Sequence, residues 1–167
     1  MDEYRFEWAS PKDADEVFLL YRSLIDAPYS TWSEDYPSRE DVDADLAGSK
    51  TLVLRSNLSG RIAAAIALLD EADEPEFSRI APWYSDVSRW AIPSRLGVDR
   101  GLQGRGIARQ MLTAAMEAAK ERGCDGVRFL VAKSNPIAQR SYSKIGFDVC
   151  GEHEIWGNVW LCYQKRL

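Results

Sequence analysis

The chain has a single histidine, His153, and three cysteines, Cys124, Cys150 and Cys162, in 167 residues. So few ligating side chains, with no close spacing, exclude a zinc-site pattern and a disulfide framework, and reduced thiols in a cytoplasmic protein are expected. Positive charge is also short: 21 Lys and Arg stand against 26 Asp and Glu, a net charge of −5. A nucleic-acid binder would need a basic footprint, so that partner class is not expected. The longest apolar run is "IAAAIALL", Ile62 to Leu69, far below the roughly 20 residues that span a bilayer. The opening "MDEYRFEW" lacks a basic region followed by an apolar run, so neither a leader nor a membrane partner is expected. No internal repeat or low-complexity segment occurs.

What remains is ordinary globular material, 46% hydrophobic and 28% charged, of a length that fits one domain with a real core. "YRFEWA" alternates as a first strand. "SPKD" offers a serine cap, a first-turn proline and an acid three residues after the cap. A helix through Val17, Leu20, Tyr21 and Leu24 is expected to end near Ile25. "SRED" from Ser38 is a second capping box, opening a helix that stops at Gly48. "TLVLRS" and "RIAAAIALLD" flank the turn "NLSG" as a hairpin, and the second run is apolar on both faces, as a central strand would be. Glu71 to Ser88 reads as a long excursion. A strand over Val87 to Val98 follows, with Pro93 predicting a bulge or break. A helix, the strand "GVRFLVA", a helix opened by Asn135 and Pro136, and two closing strands complete the order β-α-α-β-β-β-α-β-α-β-β. That order describes an α/β fold around a mixed sheet of about seven strands, with helices on both faces.

The segment "VDRGLQGRGIARQML", Val98 to Leu112, lies between a strand and a helix. The first N–H groups of a helix have no internal partner and sit at the positive end of its dipole, which makes an anion site. Gly104 and Gly106 permit close approach to the backbone, Ala108 keeps the next turn slim, and Arg100, Arg105 and Arg109 add positive charge. A phosphate loop would need lysine then serine or threonine where Ile107 and Ala108 stand. A dinucleotide loop would need a small residue at Arg109.

The remaining pattern, Gln-x-x-Gly-x-Ala over Gln103 to Ala108, resembles the pyrophosphate loop of the GNAT family of N-acetyltransferases. The second half of the chain carries the likeness further. "RLGVDRGLQGRGIARQMLTAAMEAAKERG" is similar to that family's fourth strand, loop and following helix. "NPIAQRSYSKIGF" is similar to its second signature, an asparagine, a short helix, a tyrosine and a glycine-phenylalanine pair. The resemblance implies one N-acetyltransferase domain over 1–167, its acceptor side mainly in 1–85 and its acetyl-CoA-binding half in 86–167. The split of the sheet would fall between strands four and five. Leu96, Gly97 and Val98 would run beside the pantetheine arm. Amides of Gln103, Gly104, Arg105, Gly106, Ile107, Ala108 and Arg109 would cradle the pyrophosphate. Asn135 would bond the pantetheine chain, and Ala138, Ser141 and Tyr142 would line its thiol end. Gly97 stands where the family often has alanine, and glycine there would leave room near the acetyl group.

The implied reaction is direct attack by a primary amine, of a small molecule or peptide, on the thioester in a ternary complex. Acetyl-CoA is the co-substrate, and no metal is required. The Val98 N–H would polarise the carbonyl, and Tyr142 would act as general acid toward the leaving thiolate. The base stays open among Glu71, Asp86, Glu152, Glu154 and a water chain. His153 reads as structural. Trp32 and Tyr36 are either acceptor-site walls or loop anchors, and the neighbouring Glu34 and Asp35 hint at a cationic acceptor. Two rival functions stand beside this one: a catalytically silent acyl-CoA-binding regulatory module, and a nicotinamide-dependent oxidoreductase. Oligomeric state is open, a homodimer included.

Overall fold

The structure, a computed structural model, describes residues 3–167, so Met1 and Asp2 of the N-terminal reading lie outside it. Its elements are β1 (Tyr4–Trp8), α1 (Ala14–Arg22), α2 (Arg39–Ala47), β2 (Thr51–Ser56), β3 (Ile62–Asp70), β4 (Trp90–Val98), α3 (Ile107–Glu121), β5 (Gly126–Ala132), α4 (Pro136–Ser143), β6 (Asp148–Ile155) and β7 (Asn158–Arg166). This is the element order read from the sequence. The strands hydrogen-bond in the order β1-β2-β3-β4-β5-β7-β6. β4 and β5 run parallel, whereas β1–β2, β2–β3, β5–β7 and β6–β7 are antiparallel.

The residues cluster into two compact units, one of 3–68 with 95–115 and one of 69–94 with 116–167. In the first, both serine caps form. Asp13 accepts the Ser10 N–H at 2.9 Å. Ser38 and Asp41 satisfy each other's backbone N–H groups at 3.1 and 2.9 Å, closing the first turn of α2. α1 ends at Arg22, three residues earlier than its periodicity suggests, because the chain tightens: Leu24 N–H bonds Tyr21 C=O and Ile25 N–H bonds Arg22 C=O. α1 and α2 bury Val17, Leu20, Tyr21, Val42 and Leu46 against Val53, Ile62 and Ala65 of the hairpin. β3 is buried at every position from Ile62 to Leu69, as a run apolar on both faces requires. α3 starts only at Ile107, because Gly104 and Gly106 before it have φ of 81° and 77°, outside helical space.

The irregularity expected at Pro93 falls two residues later. Pro93 stays inside β4, and Arg95 takes the left-handed conformation at φ 51°, a state costly for a residue with a Cβ. Its side chain explains the position. Arg95 is drawn to Asp45 of α2 by two bonds, Nε to Oδ2 at 2.9 Å and Nη2 to Oδ1 at 2.7 Å. Both side chains are 7% exposed. The third nitrogen, Nη1, donates to the Tyr36 hydroxyl at 3.4 Å.

In the second unit, the 71–88 excursion contains a 3-10 turn over Pro75–Arg79. Its far end is clamped by Asp125, whose carboxylate accepts the N–H groups of Ser88 and Arg89 at 2.7 to 3.1 Å. Phe129 of β5 gathers Tyr142, Phe147 and Tyr163 into an aromatic cluster, with centroids 5.0 to 5.8 Å away.

Removing one member of a buried ion pair leaves the other charge uncompensated. Asp45→Ala should therefore lower unfolding free energy by about 3–5 kcal/mol in urea denaturation. The double variant Asp45→Leu/Arg95→Met should lose clearly less than the single one.

Candidate active site

Every expected site residue lies in one unit or the other: 96–98 and 103–109 in the first, and 135, 138, 141 and 142 in the second.

In the first unit, β4 leads through Val98 into a short 3-10 turn, Arg100–Leu102, that the sequence reading did not anticipate. Asp99 builds it: its carboxylate accepts the Gly101 N–H at 2.8 Å and its carbonyl the Leu102 N–H at 2.9 Å. The backbone then passes through Gly104 and Gly106 in the left-handed region, where an L side chain is strained. A Cβ on Gly104 would meet nothing, and one on Gly106 would meet only Arg109 Nη2, at 3.7 Å. The loop backbone is thus open, with a guanidinium at its edge. The Gln110 N–H reaches back to the Gly106 C=O, so Ile107, Ala108 and Arg109 carry the orphan N–H groups of a helix start. Small residues and orphan donors in this order fit a pyrophosphate.

Two details revise the loop. The Gln103 N–H is spent on Arg100 C=O at 3.4 Å, while its side chain bonds Val98 C=O at 3.2 Å. Arg100 is tied to the Ser23 carbonyl at 2.9 Å, which leaves Arg105 and Arg109, among the described residues, as the loop's uncommitted cations. Gly97 also differs from expectation. The space beside it is filled: a Cβ there would lie 2.9 Å from Leu24 Cδ1, 3.2 Å from Tyr21 Cδ1 and 3.3 Å from Trp32. Glycine lets α1 and the following loop press on the β4 backbone. Trp32 packs edge-on to Tyr21 at 5.1 Å, so it anchors the loop to this wall.

In the second unit, Asn135 caps α4, its Oδ1 accepting the Ala138 N–H at 3.0 Å, which leaves its Nδ2 as a donor. Ala138, Ser141 and Tyr142 follow on α4. The Tyr142 ring stands edge-on to Phe129 and Tyr163, at 5.8 and 6.5 Å. Burial around its hydroxyl pushes the pKa up to about 12, with Tyr163 adding to the shift. Three of the four candidate bases are engaged. Asp86 grips Arg166 at 2.9 to 3.2 Å, a bond that holds its carboxyl below the usual carboxylate value. Glu152 pairs with Lys133 at 2.7 Å, and Glu71 contacts Arg128 at 3.4 Å. Glu154 is exposed on β6. His153 lies on β6 opposite Trp160. Among the described residues, no group of His, Cys, Asp and Glu side chains could hold a metal ion, and no helix is long and apolar enough to cross a membrane.

The glycine-gated helix start of the first unit, and the capping asparagine with a tyrosine two turns further on in the second, are the features that the resemblance to an acyltransferase led us to expect. The family model "Acetyltransferase (GNAT) family" matches residues 17–147, and the chain belongs to that family. An acetyltransferase of the GNAT family from Streptococcus agalactiae is 25% identical, with a TM-score of 0.80 over 98% of this chain and 95% of that one. A Salmonella typhimurium protein solved with its cofactor acetyl-CoA shares the fold at 16% identity, with a TM-score of 0.75 over 99% of this chain and 94% of that one. Among curated relatives, the mycothiol acetyltransferase of Corynebacterium aurimucosum is 33% identical over 61 residues, 36% of this chain. That match spans only 20% of the relative's length.

Two desolvated tyrosine hydroxyls set an alkaline limit. Burial also raises the Tyr21 hydroxyl, which finds no hydrogen-bond partner among the described residues. A raised pKa contributes stability that is complete below the unfolded value of about 10. That contribution is lost as pH climbs toward the folded value. Ultraviolet titration of the seven tyrosines should find Tyr142 and Tyr21 still protonated at pH 11. The melting temperature should fall between about pH 10 and 12, and less steeply in Tyr142→Phe.

Proposed function

We propose that this chain is a single-domain N-acetyltransferase, working in the cytoplasm, that moves an acetyl group from acetyl-CoA to a primary amine of a small molecule or peptide. The observation that carries the reading is the loop from Gly104 to Arg109, an anion cradle on an acidic protein. Family membership supports acetyl-CoA as the anion's owner. The free state of Cys124, Cys150 and Cys162 is compatible with a reducing compartment.

Acetyl-CoA supplies an activated acyl group whose leaving thiolate needs a proton or a hydrogen bond. The amides of Gly104 to Arg109 hold the pyrophosphate, with Arg105 and Arg109 adding charge. Leu96, Gly97 and Val98 offer backbone to the pantetheine arm, and Asn135 Nδ2 donates to it. Ala138 and Ser141 border the arm's thiol end. The Val98 N–H polarises the acetyl carbonyl. Tyr142 donates to the sulfur. With a pKa near 12, it is a weaker acid than an ordinary tyrosine, so it stays protonated throughout the working range and stabilises the departing thiolate chiefly as a hydrogen-bond donor. Removal of the amine's proton falls to Glu154 or to water, since Glu71, Asp86 and Glu152 are already paired.

The silent acyl-CoA-binding module shares the loop and differs in turnover alone. Gly106→Glu puts a side chain and a like charge where backbone meets phosphate. Its acetyl-CoA affinity by calorimetry should drop at least tenfold, about 1.4 kcal/mol, with the fold kept. Unchanged affinity would remove the cradle from the reading. Tyr142→Phe should lower kcat by roughly 10²–10⁴ with little change in acetyl-CoA binding. The wild-type kcat profile should have no alkaline limb from this tyrosine below about pH 11. A variant with normal turnover would return Tyr142 to the aromatic cluster.

A further inference from the structure

Two arginines of this protein are buried in its sheet, and they are treated oppositely. Arg95 presents the edge formed by Nε and Nη2 to Asp45, and both donors are answered within 2.9 Å. Arg128, the third residue of β5, is more deeply buried, with 3% of its side chain exposed. Its equivalent edge is answered once, by Glu71 Oε1, 3.4 Å from Nη2. Nε is buried and has no partner among the described residues. A charge-assisted pair is ordinarily 2.7–2.9 Å long, so Glu71 makes a loose contact, and its side chain is 47% exposed.

The rest of the setting is apolar and aromatic. The guanidinium carbon lies 4.6 Å from the Trp90 ring centroid and 5.3 Å from that of Trp83. Indole faces attract a cation but accept no hydrogen bond along the guanidinium plane. Burial accordingly lowers the Arg128 pKa, with Glu71 opposing. A buried cation with half of its two-donor edge unanswered is costly, and the remedy that matches this edge is a bidentate carboxylate. Its place in the strand gives the remedy a purpose. β4 pairs with β5 at Trp90–Gly126 and Ala91–Val127, and Arg128 is the next residue of β5. On the reading above, this is where the paired strands give way to the acetyl-bearing arm.

We propose that Arg128 recognises a carboxylate on the amine acceptor, so that the acceptors are amino-acid-like amines carrying both groups. The inference rests on the acetyltransferase reading. Glu71 holds the Nη2 end from the solvent side of the excursion, and the incoming carboxylate displaces it, bonding Nε and Nη2 together. Trp83 and Trp90 keep the guanidinium plane fixed for that bidentate grip.

The test uses the whole protein without acetyl-CoA. L-amino acids and their carboxamides are titrated while the Arg128 Nε–H resonance is followed, assigned by its loss in Arg128→Lys. At least one amino acid should bind tenfold or more tightly than its amide, moving that resonance downfield. Glu71→Gln, which removes the competing charge at a half-exposed position, should tighten the same amino acid at least threefold. Arg128→Lys should abolish the preference. Equal binding of acid and amide, no binding of either, or a shift produced by acetyl-CoA alone would overturn the proposal. If Arg128→Lys fails to fold, the Glu71→Gln comparison decides it in the same way. Thiol release from acetyl-CoA, measured separately with the same panel, separates failure of the acetyltransferase reading from failure of this site.

Discussion

The first unit depends on a buried ion pair that bends a strand. Isolated in the interior, either Arg95 or Asp45 would cost several kcal/mol of desolvation. Bound two-to-two at 2.7 and 2.9 Å, they are worth keeping only because they impose a geometry. Arg95 must adopt φ 51° to reach α2, and a left-handed residue cannot continue a flat ladder. The residues after it, Leu96 to Val98, therefore enter the loop from a strand already turned by its own side chain. The Gly97 backbone is then fixed by Leu24, Tyr21 and Trp32 pressing on it. Tyr21 of α1, two residues of the loop that follows it and one ion pair thus define the strand segment that would meet the cofactor arm.

The same physics explains why two buried guanidiniums suggest different roles. Asp45 is held on a helix and has no freedom to leave, so its pair is structural. Glu71 begins an excursion, is half-exposed, and touches its arginine at 3.4 Å. An interior tolerates a polar atom without a partner only at a cost of about 1–3 kcal/mol. Such a cost persists where the surrounding contacts compensate for it, here the indoles of Trp83 and Trp90. Arg166, by contrast, has Asp86 along its edge and Tyr84 beneath it at 3.7 Å, and needs no further explanation.

What was legible in the chain was local. Ser10, Ser38 and Asn135 announce helix starts because a side-chain oxygen must answer an orphan N–H within three residues. Gly104 and Gly106 announce the loop because only glycine takes those angles without strain. What was hidden depended on distant partners. Pro93 looked like the breaking point of β4, yet a proline compatible with extended backbone does no harm where no donor is needed. Arg95 bends the strand because of a residue 50 positions away. Gly97 looked like room for an acetyl group because a sequence cannot reveal what fills the space beside a missing Cβ. In "GVRFLVA" the arginine could have pointed to solvent, and nothing local distinguishes that from burial between two tryptophans.

Tyr142 joins the local and the distant. Its spacing from Asn135 marks it as part of a signature, while its ring belongs to the cluster of Phe129, Phe147 and Tyr163. These two descriptions are one arrangement. The aromatic cluster fixes the ring, and by excluding water it raises the hydroxyl's pKa. A proton that is hard to remove makes a poor acid for full transfer to a thiolate of pKa about 8.5. On the proposed reading it makes a durable hydrogen-bond donor, one that needs no reorganisation when charge develops on sulfur. A tyrosine held in the aromatic cluster thus trades acidity for a fixed position, and on the proposed reading a thiolate, far less basic than an alkoxide, loses little by that exchange.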